Sequence, residues 1–217
     1  MIKAVVFDFD GVIANSEPLH LRAYQEVLEP LGVTLTRERY YLDLLGFDDE
    51  GVFRKIAEDE GWALDARQIA ALIEDKSRVM EEAIARADVL YPGAVECIER
   101  LAAAFPLGIA SGALRHEIEA ILSRRRIDRH FRFIVSAEDT ARGKPAPDPY
   151  ARAAQLHGLP PGDCLAIEDS RWGVASAQTA GLKCVAVTHT YPPDQLRLAD
   201  RIVSSLEELT ASFIGLL

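Results

Sequence analysis

A short apolar run that stops at polar residues, repeated along the chain, constrains the fold more than any other feature. From Ala4 to Phe9 such a run, heavy in Val and Phe, ends at acidic residues and Gly11. Similar runs recur at Leu107 to Ala110, Phe133 to Val135, Cys164 to Ile167 and Cys184 to Val187. Continuous apolar stretches of this length are the pattern of strands buried on both faces. Segments of helical periodicity separate them, among them Leu114 to Leu122, Tyr150 to His157 and Trp172 to Ala180. Alternating strands and helices predict an α/β protein with a parallel sheet and helices on both of its faces.

The stretch from Ser16 to Arg86 breaks this rhythm. It carries helical patterns, with Leu19, Tyr24, Val27 and Leu28 on one helix, Val52, Phe53 and Ile56 on another, and Ile69, Leu72, Ile73 and Val79 on a third. No buried-strand pattern accompanies them. The sheet rhythm resumes after Tyr91-Pro92-Gly93, a break of the kind Pro and Gly impose. A chain of 217 residues has room for a medium domain and a small one. The expected division is a core of residues 1–15 and 87–217 with a helical insert of residues 16–86.

Composition narrows the partners. Thirty-four acidic residues against 24 basic ones give a formal charge of -10, which repels nucleic acid and anionic membrane surfaces. The longest basic run, Arg124 to Arg126, follows an apolar helical pattern and reads as a solvated helix C-terminus, where cations suit the dipole. Cys97, Cys164 and Cys184 are far apart and lack metal-type spacing, which fits a reducing cytoplasm. The start of the chain has neither the basic lead nor the long apolar region of a secretory signal, and no segment approaches a membrane span. The expected setting is cytoplasmic, without nucleic acid or membrane partners. Nothing in the sequence points to an oligomeric state.

In open parallel sheets ligands bind beyond the carboxyl ends of the strands, so the polar residues closing each apolar run are the candidates for chemistry. Asp8 and Asp10 lie two apart and share a direction if the strand continues through them, while Gly11 permits a sharp turn. Glu168 and Asp169 close another core strand. Carboxylates gathered from two strand ends repel one another unless a hard divalent cation neutralises them, so Mg²⁺ is implied. A plainer role for Glu168 and Asp169 is to lead the following helix, where acids favour the N-terminus, and the two roles are compatible. Ser111 and Gly112 offer a hydroxyl and backbone N–H groups at a helix start, a natural anion site. Lys144 sits in Gly143-Lys144-Pro145-Ala146-Pro147-Asp148-Pro149, where prolines limit flexibility and hold the ammonium in place.

Taken in order, Asp8-Phe9-Asp10-Gly11-Val12-Ile13, Ser111, Lys144-Pro145 and Glu168-Asp169-Ser170-Arg171-Trp172-Gly173-Val174 resemble the motifs of haloacid dehalogenase-like hydrolases. The resemblance covers essentially the whole chain and is closest to the subgroup of phosphoglycolate phosphatases and beta-phosphoglucomutases. It implies a Rossmann-like core with an inserted helical cap domain, acting on a small phosphorylated metabolite. It further implies Asp8 as the nucleophile that becomes an aspartyl-phosphate, with Asp10 as acid and base and its main-chain carbonyl on the metal. Ser111 and Lys144 would hold the phosphoryl oxygens, and Asp8, Asp169 and Glu168 would hold Mg²⁺. The branch of the family that cleaves carbon–halogen bonds lacks the second aspartate and the metal, so Asp10 and Glu168-Asp169 argue for phosphate.

Substrate choice in this family is carried by the cap. Mutases hold a second phosphate with basic residues near a glycine, whereas Leu45-Gly46-Phe47-Asp48-Asp49-Glu50 is acidic. Against this, Asn15-Ser16-Glu17-Pro18-Leu19-His20 resembles the mutase segment, with His20 at the matching place. Gly11, His20, Gly46, Ser111, Gly112 and Lys144 are the expected substrate contacts. Hydrolysis is favoured, with a sugar-phosphate mutase as the alternative. A phospho-signalling receiver shares the acids, the hydroxyl and the lysine, but receivers are much shorter and carry no insert after the first strand.

Overall fold

The computed structural model describes residues 1–45 and 47–217. Gly46, one of the expected substrate contacts, lies outside the described residues. The chain divides into two compact units, Met1–Asn15 with Val89–Leu217, and Ser16–Asp88.

In chain order the elements begin with β1 (Ala4–Phe7), followed in the insert by α1 (Glu17–Leu28), α2 (Arg37–Arg39), α3 (Asp49–Glu60) and α4 (Ala66–Arg86). The core continues with α5 (Ala94–Ala102), β2 (Leu107–Ala110), α6 (Arg115–Arg124), β3 (Phe131–Val135) and α7 (Asp148–His157). It closes with β4 (Cys164–Glu168), α8 (Arg171–Thr179), β5 (Lys183–Val187), β6 (Arg201–Val203) and α9 (Ala211–Ile214).

The six strands form one sheet in the order β3-β2-β1-β4-β5-β6, with every pairing parallel. The order reverses between β1 and β4, which makes this the crevice where open α/β sheets take ligands. On β1, Ala4 and Val6 pack with Tyr150, Ala153, Ala154, Val174 and Ala177 of α7 and α8. Phe7, one residue on, faces the other side and meets Phe131 edge-on at 6.0 Å. Both faces of β1 are therefore covered, as a parallel sheet requires.

The insert has its own core of Leu21, Tyr24, Leu28, Val33, Leu35, Tyr40, Leu44, Val52, Phe53, Ile56 and Ile69. Its helix starts are capped from the sequence. The Asp48 carboxylate accepts from Gly51 N at 2.8 Å, and Asp65 and Gln68 form a reciprocal capping box that opens α4. Gly61 ends α3 in the left-handed region. Between α2 and α3 the backbone makes a π-helical turn over Tyr40–Leu44. No described helix of either unit is long and apolar enough to cross a membrane.

Candidate active site

The site is built at the ends of β1 and β4. Strand β1 stops at Phe7, one residue before the first acid, although Asp8 N still donates to Ile167 O at 2.9 Å. Phe7 and Phe9 are buried on either side of Asp8. At about 1.5–3 kcal/mol each, these two rings anchor a carboxylate that water would otherwise claim. The condition for Asp8 and Asp10 to share a direction, a strand running through both, is not met: Asp10 lies beyond β1, in a turn with Gly11 at φ 81°, although its charge still acts on Asp8. The carboxylate of Asp10 is 3.5 Å from Ser111 Oγ, at the outer limit of a hydrogen bond. Gly11 is needed twice over, because a Cβ in its place would also collide with the Asp169 carboxylate.

Lys144 arrives from the loop before α7 and lies between two carboxylates, 2.7 Å from Asp8 Oδ1 and 2.6 Å from Glu168 Oε1. Glu168 is fully buried and its oxygens are well supplied with donors. Oε1 also accepts from Tyr150 Oη at 2.7 Å, and Oε2 accepts from Asp169 N, Ser170 N and Ser170 Oγ at 3.1, 3.3 and 3.2 Å. Burial raises the Glu168 pKa, but Lys144, Tyr150 and the Ser170 N–H outweigh it and hold the carboxyl below its ordinary value. Asp8 goes the other way. Burial first, then the charge of Glu168, push its carboxyl well above the usual range despite Lys144. Burial works against the Lys144 ammonium, yet Asp8 and Glu168 more than offset this and raise its pKa.

Two carboxylates share one ammonium, so the pocket carries surplus negative charge. Asp8, Glu168 and Asp169 are all buried, and each offers an oxygen within 4.8 Å of the others, a hard donor set that fits a divalent cation. The carboxylate of Asp10 is not part of that group.

Ser111 follows β2, with its N–H on Val135 O at 2.9 Å. Its Oγ accepts from Ala113 N at 3.0 Å, while Leu114 N donates to Glu117 and Arg115 N to Glu138. The helix begins at Arg115, one residue later than its apolar pattern suggests, and these protein acceptors already take N–H groups that sequence reading offered to an anion. Gly112 is exposed. Burial pushes the Cys164 thiol up to about 11, so it stays protonated and packs as an apolar group in β4.

Sequence reading assigned no role to three residues, although Gly173 stands in a motif it named. Tyr150 Oη orients Glu168, but in sequence it is merely the opening of a helical pattern. Gly173 lies against the Glu168 carboxylate so closely that a Cβ would collide with it; a glycine in the first turn of a helix is the signal that was available. His189, after β5, places Nδ1 2.9 Å from Gly11 O. No local pattern marks it.

His20 lies in the insert on α1. Burial raises the pKa of Asp49, but the Lys76 ammonium first, then neighbouring His20 and the Tyr24 hydroxyl, hold it below the ordinary carboxylate range. Lys76 is 1% exposed and 3.0 Å from Asp49, which also accepts from Tyr24 Oη at 2.5 Å.

A parallel sheet with reversed strand order, carrying buried carboxylates and a lysine at the ends of adjoining central strands, defines an α/β enzyme that handles anionic groups. A family model described as haloacid dehalogenase-like hydrolase matches residues 5–187, and the chain belongs to that family. It is an enzyme, a phosphatase of the family. Protein CbbY of Rhodobacter capsulatus is 36% identical over 88% of this chain and 87% of its own length. Hexitol phosphatase B of Escherichia coli K12 is 32% identical over 97% of this chain and 95% of its own length. The crystal structure of a CbbY mutant from Rhodobacter sphaeroides, in complex with xylulose-1,5-bisphosphate, superimposes with a TM-score of 0.86 at 28% identity, covering 96% of each chain.

Proposed function

We propose that this protein is a Mg²⁺-dependent phosphatase that hydrolyses a phosphorylated sugar or sugar alcohol through an aspartyl-phosphate on Asp8. The observation that carries the reading is the pairing of Asp8 with Lys144 at 2.7 Å in a pocket with surplus negative charge. Both Lys144 and the Phe9 N–H contact Oδ1, which makes Oδ2 the attacking oxygen. As the Oδ2–P bond forms and the ester P–O bond breaks, Asp10 gives its proton to the departing alkoxide. Water then attacks phosphorus, Asp10 takes the water's proton, and the Oδ2–P bond breaks to release phosphate and free Asp8. Lys144 and Ser111 hold the phosphoryl oxygens while Glu168 keeps the ammonium in position. The Asp8 and Asp169 carboxylates and the Asp10 carbonyl, together with Glu168, would hold Mg²⁺, which would supply the positive charge that offsets repulsion between carboxylates and phosphate.

The substrate class follows from the relatives' names and from the insert, proposed here as the cap. Its buried ammonium, Lys76, is paired with Asp49 rather than left for a second phosphate. That supports hydrolysis of a monophosphate over a mutase cycle through a bisphosphate. The test is phosphate release with Mg²⁺ across sugar and sugar-alcohol monophosphates, xylulose-1,5-bisphosphate, and beta-glucose 1-phosphate with trace bisphosphate. Release from monophosphates is expected. Conversion of glucose 1-phosphate to glucose 6-phosphate without free phosphate would overturn the reading.

A further inference from the structure

The turn that carries Asp10 is closed almost entirely by its own backbone. Gly11 N donates to Ala14 O at 2.8 Å, and Val12, Ile13 and Ala14 all donate to Phe9 O, at 3.3, 2.9 and 3.0 Å. The Gly11 carbonyl, in contrast, is met by a side chain 178 residues away, His189, at 2.9 Å. A carbonyl oxygen only accepts, so Nδ1 must carry the hydrogen. Burial holds the His189 pKa below its ordinary value despite this bond, which favours the neutral ring with its hydrogen on Nδ1.

The ring of His189 stacks on Tyr91, with centroids 4.0 Å apart and planes 20° from parallel. Tyr91 in turn donates its N–H to Ile13 O at 3.0 Å. The turn is thus gripped at Gly11 by His189 and at Ile13 by Tyr91, and the two gripping residues are locked together. On its other side Gly11 lies against the Asp169 carboxylate. The Gly11 carbonyl is separated from the Asp10–Gly11 peptide only by the Gly11 Cα, which sits at φ 81°, so its hydrogen bond restrains the backbone that carries Asp10. Ring packing alone explains the stack but not the polar contact, since a phenyl ring would stack equally well.

We infer that His189 is a positioning residue for Asp10, acting through its hydrogen bond to the Gly11 carbonyl. The inference rests on the reading of Asp10 as acid and base given above. Its chemistry separates it from a general structural role. Phenyl phosphate has a poor leaving group that needs a proton, whereas p-nitrophenyl phosphate releases a stable anion that needs little help. A misaligned Asp10 therefore slows the first far more than the second.

The experiment compares kcat/KM for the two esters, with Mg²⁺, in the wild type, His189→Phe, His189→Asn and Asp10→Asn. Thermal unfolding checks that each variant folds. The ratio of p-nitrophenyl to phenyl phosphate activity is expected to rise about tenfold in His189→Phe, a modest part of what a full acid contributes. It should rise further in Asp10→Asn and return toward the wild-type value in His189→Asn, whose amide reproduces the Nδ1–H donor. His189→Leu, which also lacks a donor, replaces the Phe variant if the latter does not fold. Equal losses on both esters, or no loss, in a folded donor-less variant would overturn the role of His189 while leaving Asp10 as assigned. An unchanged ratio in Asp10→Asn would instead remove the acid–base reading of Asp10, and this inference with it.

Discussion

Each unit of the molecule sets a lysine against carboxylates, Lys76 buried in the insert and Lys144 half-buried in the core, and the two arrangements differ in charge logic. In the insert, the Lys76 ammonium lies 3.0 Å from Asp49 and 5.4 Å from the centre of the Tyr24 ring, and Asp49 is held below the ordinary carboxylate range. In the core, Lys144 is shared by Asp8 and Glu168, and Asp8 is pushed up. The insert holds its carboxylate ionised with its own cationic and hydroxyl groups. The unbalanced trio is relieved by a proton on Asp8 or by a further cation, which is the kind of perturbed electrostatics that accumulates where chemistry is done.

The largest expected effect breaks the core alone. Asp8→Asn should reduce Mg²⁺-dependent phosphate release on the order of 10⁴-fold or more with near-native circular dichroism; substantial turnover would refute Asp8 as nucleophile. Next come the two lysines. Lys76→Met should destabilise the insert by about 3 kcal/mol, because half-buried Asp49 loses its ammonium and keeps only weaker partners such as the Tyr24 hydroxyl. Lys144→Met should cost a similar amount without metal but recover part of it when Mg²⁺ is added, a recovery that Lys76→Met should not show. Chemical denaturation with and without Mg²⁺ measures both.

A smaller effect is expected from the metal itself. At 100 times its dissociation constant, Mg²⁺ should stabilise the wild-type core by about 2.7 kcal/mol, read as a rise in Tm that chelation reverses together with activity. Asp8→Asn should weaken that rise if Asp8 is a ligand.

Acidification should separate the units most subtly. The folded pKa of Asp49 is lowered, so its stabilisation is present above its unfolded pKa and is lost as pH falls through the folded value. The folded pKa of Asp8 is raised, so its contribution is largest below the unfolded pKa and is lost as pH rises through the folded value. Trp62 lies in the insert and Trp172 in the core, giving one fluorescent reporter for each. In a Trp172→Phe background, acid should weaken the Trp62 signal less in Asp49→Asn than in the parent, and equal loss would contradict the assignment of that stability to Asp49.

The sheet was largely legible in the sequence because its inner strands are apolar on both faces. Leu107–Ala110 appears with the expected bounds, and Cys164–Glu168 and Lys183–Val187 differ by one residue at an end. Reading failed at the edges. β3 begins at Phe131 rather than Phe133, because exposed Arg132 interrupts the apolar run on an edge strand. β6 left no signal, since only Val203 of its three residues is buried. The π-helical turn at Tyr40–Leu44 was equally hidden, because one turn is too short to show a period.

Local pattern determined the buried strands, the helical insert and the order of the acidic and basic residues along the chain, since these depend on periods of two and of 3.6 and on turn chemistry. Only the tertiary structure decided that β1 would lie between β2 and β4, bringing Asp8, Lys144 and Glu168 into contact from positions as much as 160 residues apart. It also decided that Tyr150 would orient Glu168 and that His189 would reach Gly11. A lone tyrosine or histidine has no period of its own, and its partner is chosen by strand pairing and helix packing that act over the whole chain.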